Sequence, residues 1–408
     1  MRSWLAFVVA AAAGCYNPSP PAGAPCTDDD GCPSGQHCIG GFCGGMADSG
    51  VDDVQALVDT APDAPLCSTW GAKHFDACAI PAPPGSLNLD TTLANYTWDT
   101  DTATLKGKMN TTIPVTTMVL TQTGGPDVLL ASVQNFTLAQ GADLNITGSR
   151  PLLIAVWGTA TIDGDISIAA TLGTSGPGGS NGTICGASTG KAGASAAPAT
   201  GGGGGAFQGN GGRGGNTGGA GGTSVGVPAV VRGGCAGATG GAGGSTAPRG
   251  AGGGAIQITA LDSITINGVI NAAGGGGGNG RFATGAGGGG GSGGFIGLDS
   301  KIVNIAGTLA ANGGSGGGGA SDVANGSYGV DGRTTATAAP GGPGATTSNI
   351  GACGRGGNGA AGGTLNAENG ISSACGGGGG GGGVGYIVLW SPAPTVTGTV
   401  TPPARGGP

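Results

Sequence analysis

The sequence predicts an all-β protein: a right-handed parallel β-helix, or solenoid, carrying long glycine-rich insertions on one face. Three observations carry that prediction. Four segments align on Gly164, Gly268, Gly307 and Gly398. Around each of these glycines, apolar residues recur at every second position. Between the aligned segments the chain turns largely to glycine, with 18 of the 101 glycines in residues 1–170 and the other 83 in the remaining 238 residues.

The repeat is the strongest of the three. Two residues before the aligned glycines stand Ile162, Ile266, Ile305 and Val396, and two residues after them Ile166, Ile270, Leu309 and Val400. Further upstream the pairs Leu152/Ile154, Ile256/Ile258, Ile296/Leu298 and Tyr386/Val388 correspond, with one residue deleted in the third copy. Apolar residues at period two describe strands. Inside a longer repeat, such strands describe stacked coils that bury together an apolar face no single coil can bury. Residues 128–149 supply an earlier coil through Phe136, Leu138, Leu144 and Ile146. Each buried Ile or Leu contributes roughly 1.5–3 kcal/mol. The β-helix is therefore placed at 128–400, preceded by a β-rich cap at 67–127 and followed by a tail at 401–408.

The glycine content has to be reconciled with this reading. One-third glycine suggests collagen, which needs glycine at every third residue and abundant proline. Residues 171–408 hold only 11 prolines, and the apolar run at 254–273 breaks any triplet. With 9% charged residues and a mean hydropathy of +0.13, the chain lacks the charge that keeps a disordered chain solvated. Helices are excluded because each interior glycine costs roughly 1 kcal/mol. The glycines instead fill three insertions, 171–254, 273–294 and 312–384, which leave the coil at the same corner and emerge on one face. Within them glycine often recurs every third residue, as at Gly209, Gly212, Gly215, Gly218 and Gly221. That is the period of polyproline II, which makes no internal hydrogen bonds. The insertions are expected to form a polyglycine-II bundle whose members satisfy one another's backbone groups. A flexible linker is the competing reading.

The N-terminus has the form of a removed signal peptide, 1–14, with Arg2 followed by an apolar run over residues 4–13 that is too short to span a bilayer. Ala12-Ala13-Gly14-Cys15 resembles a bacterial lipobox, with alanine where leucine is usual. The resemblance implies lipidation of Cys15 and a membrane anchor. Residues 15–66 read as a disordered, acidic, Cys-rich tether, with eight aspartates and no lysine or arginine between positions 16 and 72. Eleven cysteines less Cys15 leave ten, an even number that argues for disulfides in an exported protein. Cys26, Cys32, Cys38 and Cys43 lack the paired spacing of a zinc site, and His37 reads as a solvent-exposed loop residue. This cluster resembles the Dickkopf-type cysteine-rich motif of bacterial surface lipoproteins, which implies an interlaced two-disulfide knot. Cys67 and Cys78 are expected to close a short loop. Cys185 and Cys235 lie in the first insertion and Cys353 and Cys375 in the last, with pairing within or across insertions both open.

No chemistry-bearing motif stands out. Residues 1–170 carry 16 acidic and 5 basic side chains and residues 171–408 carry 5 and 9, with no basic stripe, so nucleic acid is not an expected partner. G-x-G-x-x-G matches arise by chance in so much glycine, and Gly190-Lys191-Ala192 lacks the Ser or Thr of a P-loop. Residues 171–254 contain no acid for calcium-binding repeats. Glycoside hydrolysis needs two spaced carboxylates, and Asp163 with Asp165 is the best pair. The following coils offer only Asn267 and Val269, then Ala306 and Thr308, while His37 and His74 both precede the β-helix. The pair reads as solvent-facing. Arg213, Arg232, Arg249 and Arg355 read as solubilising or hydrogen-bonding groups. No catalytic residue, cofactor or metal is expected. Ice or surface binding by a flat glycine bundle finds no regular threonine array to support it.

From residue 87 onward the chain resembles glycine-rich bacterial surface lipoproteins that are PE-PGRS-like in composition, without the PE domain. The features are Gly148-Ser149-Arg150-Pro151-Leu152-Leu153-Ile154-Ala155, Thr161-Ile162-Asp163-Gly164 and Gly252-Gly253-Gly254-Ala255-Ile256-Gln257-Ile258. A broader resemblance to β-helix adhesins implies surface display and contact with a glycan or another cell-surface ligand. The expectation is an outer-membrane, lipid-anchored envelope protein with a structural or adhesive role. A β-helix polysaccharide hydrolase or lyase is the alternative.

Overall fold

The period-two segments do become strands, but the sheets they build are several and mixed. The structure, a computed structural model, describes residues 25–28, 30, 32, 36–39, 42–46, 67, 69–243, 245–347 and 351–407. Two compact units divide the chain at residues 60 and 61. In the first, strands Gln36–Ile39 and Phe42–Met46 form an antiparallel hairpin. Disulfides Cys26–Cys38 and Cys32–Cys43 interlace across it. The signal segment, Cys15 and residues 47–66 of the tether lie outside the described residues.

The second unit holds three large sheets, of eight, seven and six strands, and a two-stranded one, Thr346–Thr347 with Gly351–Ala352. The repeat residues meet across parallel strands. Ile162, Ile266, Ile305 and Val396 pair in sequence in the six-stranded sheet, and Ile166, Ile270, Leu309 and Val400 in the eight-stranded one.

A single right-handed β-helix solenoid is nevertheless not what the chain forms. The eight-stranded sheet ends in antiparallel strands Tyr96–Asp99, Thr104–Lys106 and Thr112–Ile113, and Thr116–Leu120 joins Val128–Val133 antiparallel in the seven-stranded sheet. The connections at 100–103, 107–111 and 121–127 explain this, because a parallel crossover needs a dozen residues or more. A solenoid also has one core, whereas the seven-stranded sheet has two. Strands Val128–Val133, Leu152–Val156, Ala255–Ala260 and Phe295–Asp299 are buried at every residue. Leu152, Ile154, Ile256, Ile258, Ile296 and Leu298 face the main core. Leu130, Leu153, Ala155, Phe295, Tyr386 and Val388 face a second one, shared with Trp70, Trp157 and Phe207. Strands buried on both faces read as nearly continuous apolar runs.

This second core corrects the alignment. Ile387 and Leu389, not Tyr386 and Val388, pair with Ile296 and Leu298. A slip of one residue exchanges the faces of a strand, and Tyr386 and Val388 belong to the second core.

The aligned glycines are needed for closeness. A Cβ at Gly268 would fall on the Gly164 carbonyl oxygen, one at Gly307 on that of Gly268, and one at Gly398 on that of Gly307. None of the four has a positive φ. The same constraint governs the glycine-rich stretches, which are largely buried and carry few strand residues. Their N–H groups donate to carbonyls of sequence-distant glycines, as in Gly205 to Gly290 at 2.9 Å, Gly290 to Gly380 at 2.9 Å and Gly380 to Gly202 at 2.9 Å. A Cβ at Gly204 would strike the Gly381 carbonyl, and one at Gly380 the Gly212 carbonyl. Side chains are absent because another backbone already occupies the space. Disulfides Cys185–Cys235 and Cys353–Cys375 both close within their own insertions. The first spans 50 residues, and a loop of that length gains about 4 kcal/mol in the chain-entropy model.

Two substitutions separate packing from flexibility. Gly204→Ala or Gly380→Ala forces a methyl onto a backbone carbonyl and is expected to cost about 1–3 kcal/mol or more. Gly226→Ala, with nothing within 4 Å of its Cβ position, should be nearly neutral or slightly stabilising. Thermal unfolding of the three variants reads the difference, and equal melting temperatures would contradict the packing account.

Candidate functional site

The second core carries the most unusual chemistry of the chain. Its sheet face contains polar side chains in otherwise apolar rows. Gln257 pairs in register with Leu153 and Gly297, and Thr259 with Ala155 and Asp299. Asp299 in turn pairs with Trp390. Gln257 and Thr259 are fully buried and Asp299 is 9% exposed.

The loop closed by Cys67–Cys78 supplies their partners. Trp70 from that loop packs edge-on against Trp157, with ring centroids 5.0 Å apart, and against Phe75 at 5.7 Å. Trp157 donates to Ser132 Oγ at 3.0 Å, and Ser132 to the Pro81 carbonyl at 2.7 Å, so the floor beneath Trp70 is polar but satisfied. The backbone N–H of Lys73 donates to Asp299 Oδ2 at 2.8 Å. Gln257 Nε2 donates to the Lys73 carbonyl and to Thr259 Oγ1, both at 2.9 Å. Because a carbonyl only accepts, this fixes the orientation of the amide. Gln257 Oε1 therefore accepts from His74 Nδ1 at 2.6 Å, which places the proton of the neutral imidazole on Nδ1. Thr259 stands beside Asp299 in register. His74 also stands edge-on to Trp390, at 5.3 Å between ring centroids. Gly297 gives the Trp390 ring its place, since a Cβ there would lie 2.9 Å from Phe295 and 3.0 Å from Trp390.

A cavity of about 180 Å³ opens at this cluster, lined by Trp70, Leu261, Asp299, Ser300, Lys301, Trp390 and Pro392, together with Ala260. Trp70 Nε1 and Ser300 Oγ are buried without a hydrogen-bond partner among the described residues. Trp390 Nε1 is also unpartnered, but it packs against Gly407. A buried donor left unpaired costs about 1–3 kcal/mol, so a ligand able to accept from Trp70 or Ser300 recovers that loss.

Burial pushes the Asp299 carboxyl above its ordinary value, and the Lys73 backbone N–H and nearby charge only partly oppose this. Burial lowers the pKa of His74 below 6.5, against the hydrogen bond to Gln257 and with the help of Lys73. In both groups burial disfavours the charged form.

The predicted residues lie elsewhere. Asp163 is half-buried and accepts from Asn267 Nδ2 at 2.7 Å, and Asp165 is exposed. The register adds Asp143 directly opposite Asp165, a third carboxylate from the preceding strand that the alignment of later coils missed. Arg232 is buried rather than solubilising: it lies 4.7 Å over the Phe207 ring and donates to the Ile184 carbonyl at 3.3 Å. Arg213 donates to the Gly218 carbonyl at 3.2 Å, and Arg355 lies 3.6 Å from Glu368. The sulfurs of Cys26, Cys32 and Cys43 cluster, but disulfides leave them no thiolate for a metal.

A row the linear sequence conceals appears on the six-stranded sheet: Asn88, Thr137, Thr161, Thr265, Asn304 and Thr395 stand in consecutive register. The neighbouring row runs Thr159, Ser263, Ile302, so the hydroxyl pattern is not carried across the face. Cross-strand pairs of this kind stabilise the sheet. Among the described residues no helix is long and apolar enough to cross a membrane. No known family model, curated protein or solved structure matches the chain.

The two shifted groups predict opposite pH trends. The raised Asp299 pKa stabilises the fold below the ordinary carboxylate value, and that contribution is lost as pH rises through the folded value. Asp299→Asn should therefore gain melting temperature over wild type as pH rises from the ordinary carboxylate value through the folded one. The lowered His74 pKa gives a contribution present above 6.5 and lost as pH falls toward the folded value. His74→Asn, which tolerates the φ of 69° at this position, should flatten the acid side of the profile. Parallel pH–melting curves for wild type and both variants would overturn these assignments.

Proposed function

We propose that the protein is a cell-envelope surface protein with an adhesive role, holding a glycan at the Trp70–Trp390 pocket without cleaving it. The observation that carries this reading is the pocket itself, where two indoles flank the buried Asp299, and Trp70 Nε1 and Ser300 Oγ lack partners among the described residues. A sugar ring presents an apolar C–H face and a rim of hydroxyls. Indole rings suit the first, and a few convergent polar groups suit the second. Lys301 stands at the exposed edge beside Pro392, and the cavity has the scale of a single sugar ring. Five disulfides support an oxidising, extracytoplasmic location. Lipidation at Cys15 and an outer-membrane location belong to the same proposal and rest on the N-terminal sequence.

The second reading, polysaccharide cleavage by a hydrolase or lyase, gains one observation, the placement of Asp143 beside Asp165. These side chains are exposed, and a catalytic acid needs an environment that raises its pKa.

Glycan-array binding by the full chain tests the proposal. Trp390→Ala is expected to lower affinity for the best-bound neutral glycan at least about tenfold, and Asp299→Asn to change its selectivity, with both variants folded by circular dichroism. Undiminished binding by folded Trp390→Ala would overturn the pocket assignment. Depolymerisation of a polysaccharide panel, abolished by Asp163→Ala with Asp165→Ala, would overturn the non-catalytic reading.

A further inference from the structure

A second polar cleft lies on the outer face of the antiparallel strands that end the eight-stranded sheet. Alternation places Tyr96, Trp98 and Leu105 in the core and turns Thr97, Asp99, Thr104 and Lys106 outward. Register sets Thr97 beside Lys106 on one side and Asn145 on the other, and Asp99 beside Thr104 and Thr147. The hairpin loop at 107–111 rises at one end and adds Lys108, Met109 and Asn110, enclosing a cavity of about 460 Å³.

Two features of this cleft are unexplained by the fold, its lysines and its strained loop tip. Neither Lys106 nor Lys108 makes a salt bridge among the described residues. Asp99 is already engaged, accepting from the N–H groups of Asp101 at 2.9 Å and Thr102 at 3.3 Å. At the loop tip Met109 and Asn110 both adopt left-handed backbone, with φ of 57° and 61°, and Met109 is 85% exposed. A methionine held exposed in this conformation gains nothing for the fold, and such strain clusters at ligand-binding positions. The loop is nonetheless fixed: Gly107 N donates to the Thr111 carbonyl at 2.8 Å, and Thr111 Oγ1 to the Lys108 carbonyl at 3.0 Å. Gly107 admits this path because a Cβ there would lie 2.9 Å from Leu93.

We infer that this cleft binds an acidic polysaccharide of the uronate type. Carboxylates of the chain meet Lys106 and Lys108, its hydroxyls meet Thr97, Thr104 and Asn110, and Met109 covers a sugar face. Two cations and one fixed carboxylate suit a polymer with a single charge on each sugar, and Asp99 repels a densely charged anion. The site is independent of the Trp70–Trp390 pocket and does not rest on its assignment.

The test is calorimetric titration of the full chain with oligogalacturonate and with its methyl ester, the same sugar without the charge. Binding of the acid form is expected, at least tenfold weaker for the ester and for Lys106→Gln/Lys108→Gln. Met109→Gly should weaken binding without lowering the melting temperature, because glycine relaxes the left-handed backbone. Trp390→Ala should leave the titration unchanged. Equal affinity for acid and ester, retention of affinity by the double lysine variant, or loss with Trp390→Ala would each overturn the inference. Equally tight, lysine-dependent binding of polyphosphate would overturn it in favour of a general anion site.

Discussion

A carbonyl oxygen occupying the place of a missing Cβ is the contact on which the rest of this structure depends. It recurs at Gly164, Gly268, Gly307 and Gly398, where each aligned strand pair turns against the one before. It recurs throughout the glycine-rich stretches, where segments from all three cross-link through N–H to carbonyl bonds. Backbone groups removed from water must be paired, and ordinarily strands or helices pair them. Here the pairing is made between extended glycine segments, which approach closely only because no side chain intervenes. The entropy given up by so many glycines is large, and the hydrogen bonds and buried disulfides are what offset it.

This construction leaves the central strands of the seven-stranded sheet without a solvent face. Once both sides are buried, any polar residue in its rows has to find a partner inside the protein. Gln257, Thr259 and Asp299 find theirs in the backbone of Lys73 and the ring of His74, carried by the loop that Cys67–Cys78 closes. The disulfide matters here because eleven residues separate its cysteines, short enough to fix Trp70, Lys73 and His74 as a group against the sheet. A satisfied buried network also specifies one arrangement of its members. The pocket beside it therefore has rigid walls, which limits the entropy lost when a ligand binds.

The sequence made the inward face of the core legible and concealed the outward one. Ile162, Ile266 and Ile305 repeat at fixed distance from a glycine, and period two sufficed to place them on one side of strands that do pair in register. The same rule assumed that alternate residues meet water, and that is false wherever a second layer covers the sheet. Tyr386 and Val388 align by sequence with inward residues because aromatic and β-branched side chains fit either face of a fully buried strand. A signal was present, since Gln257, Thr259 and Asp299 interrupt runs such as Ala255–Ala260 that are otherwise apolar. Their partners at 73 and 74 stand more than 180 residues away in sequence, and no local pattern connects them. Asp143 is hidden from the alignment for a related reason, because it precedes the first aligned glycine and only pairing brings it to Asp165. The antiparallel strands at 96–113 follow from short connections, a feature of the loops that a search for repeats does not weigh.

Glycine also bears on where function can reside. The composition draws attention to the glycine-rich face, yet a surface with few side chains offers few groups that distinguish one ligand from another. Its backbone donors and acceptors are largely spent on neighbouring segments, so little is left to recognise a partner. The polar side chains that line cavities lie where glycine is sparse: beside the Cys67–Cys78 loop and the polar rows of the seven-stranded sheet, and on the hairpin that carries Lys106 and Lys108. In this protein the glycines act as a framework of closely packed backbone, and the proposed recognition sites fall on the few segments that keep their side chains.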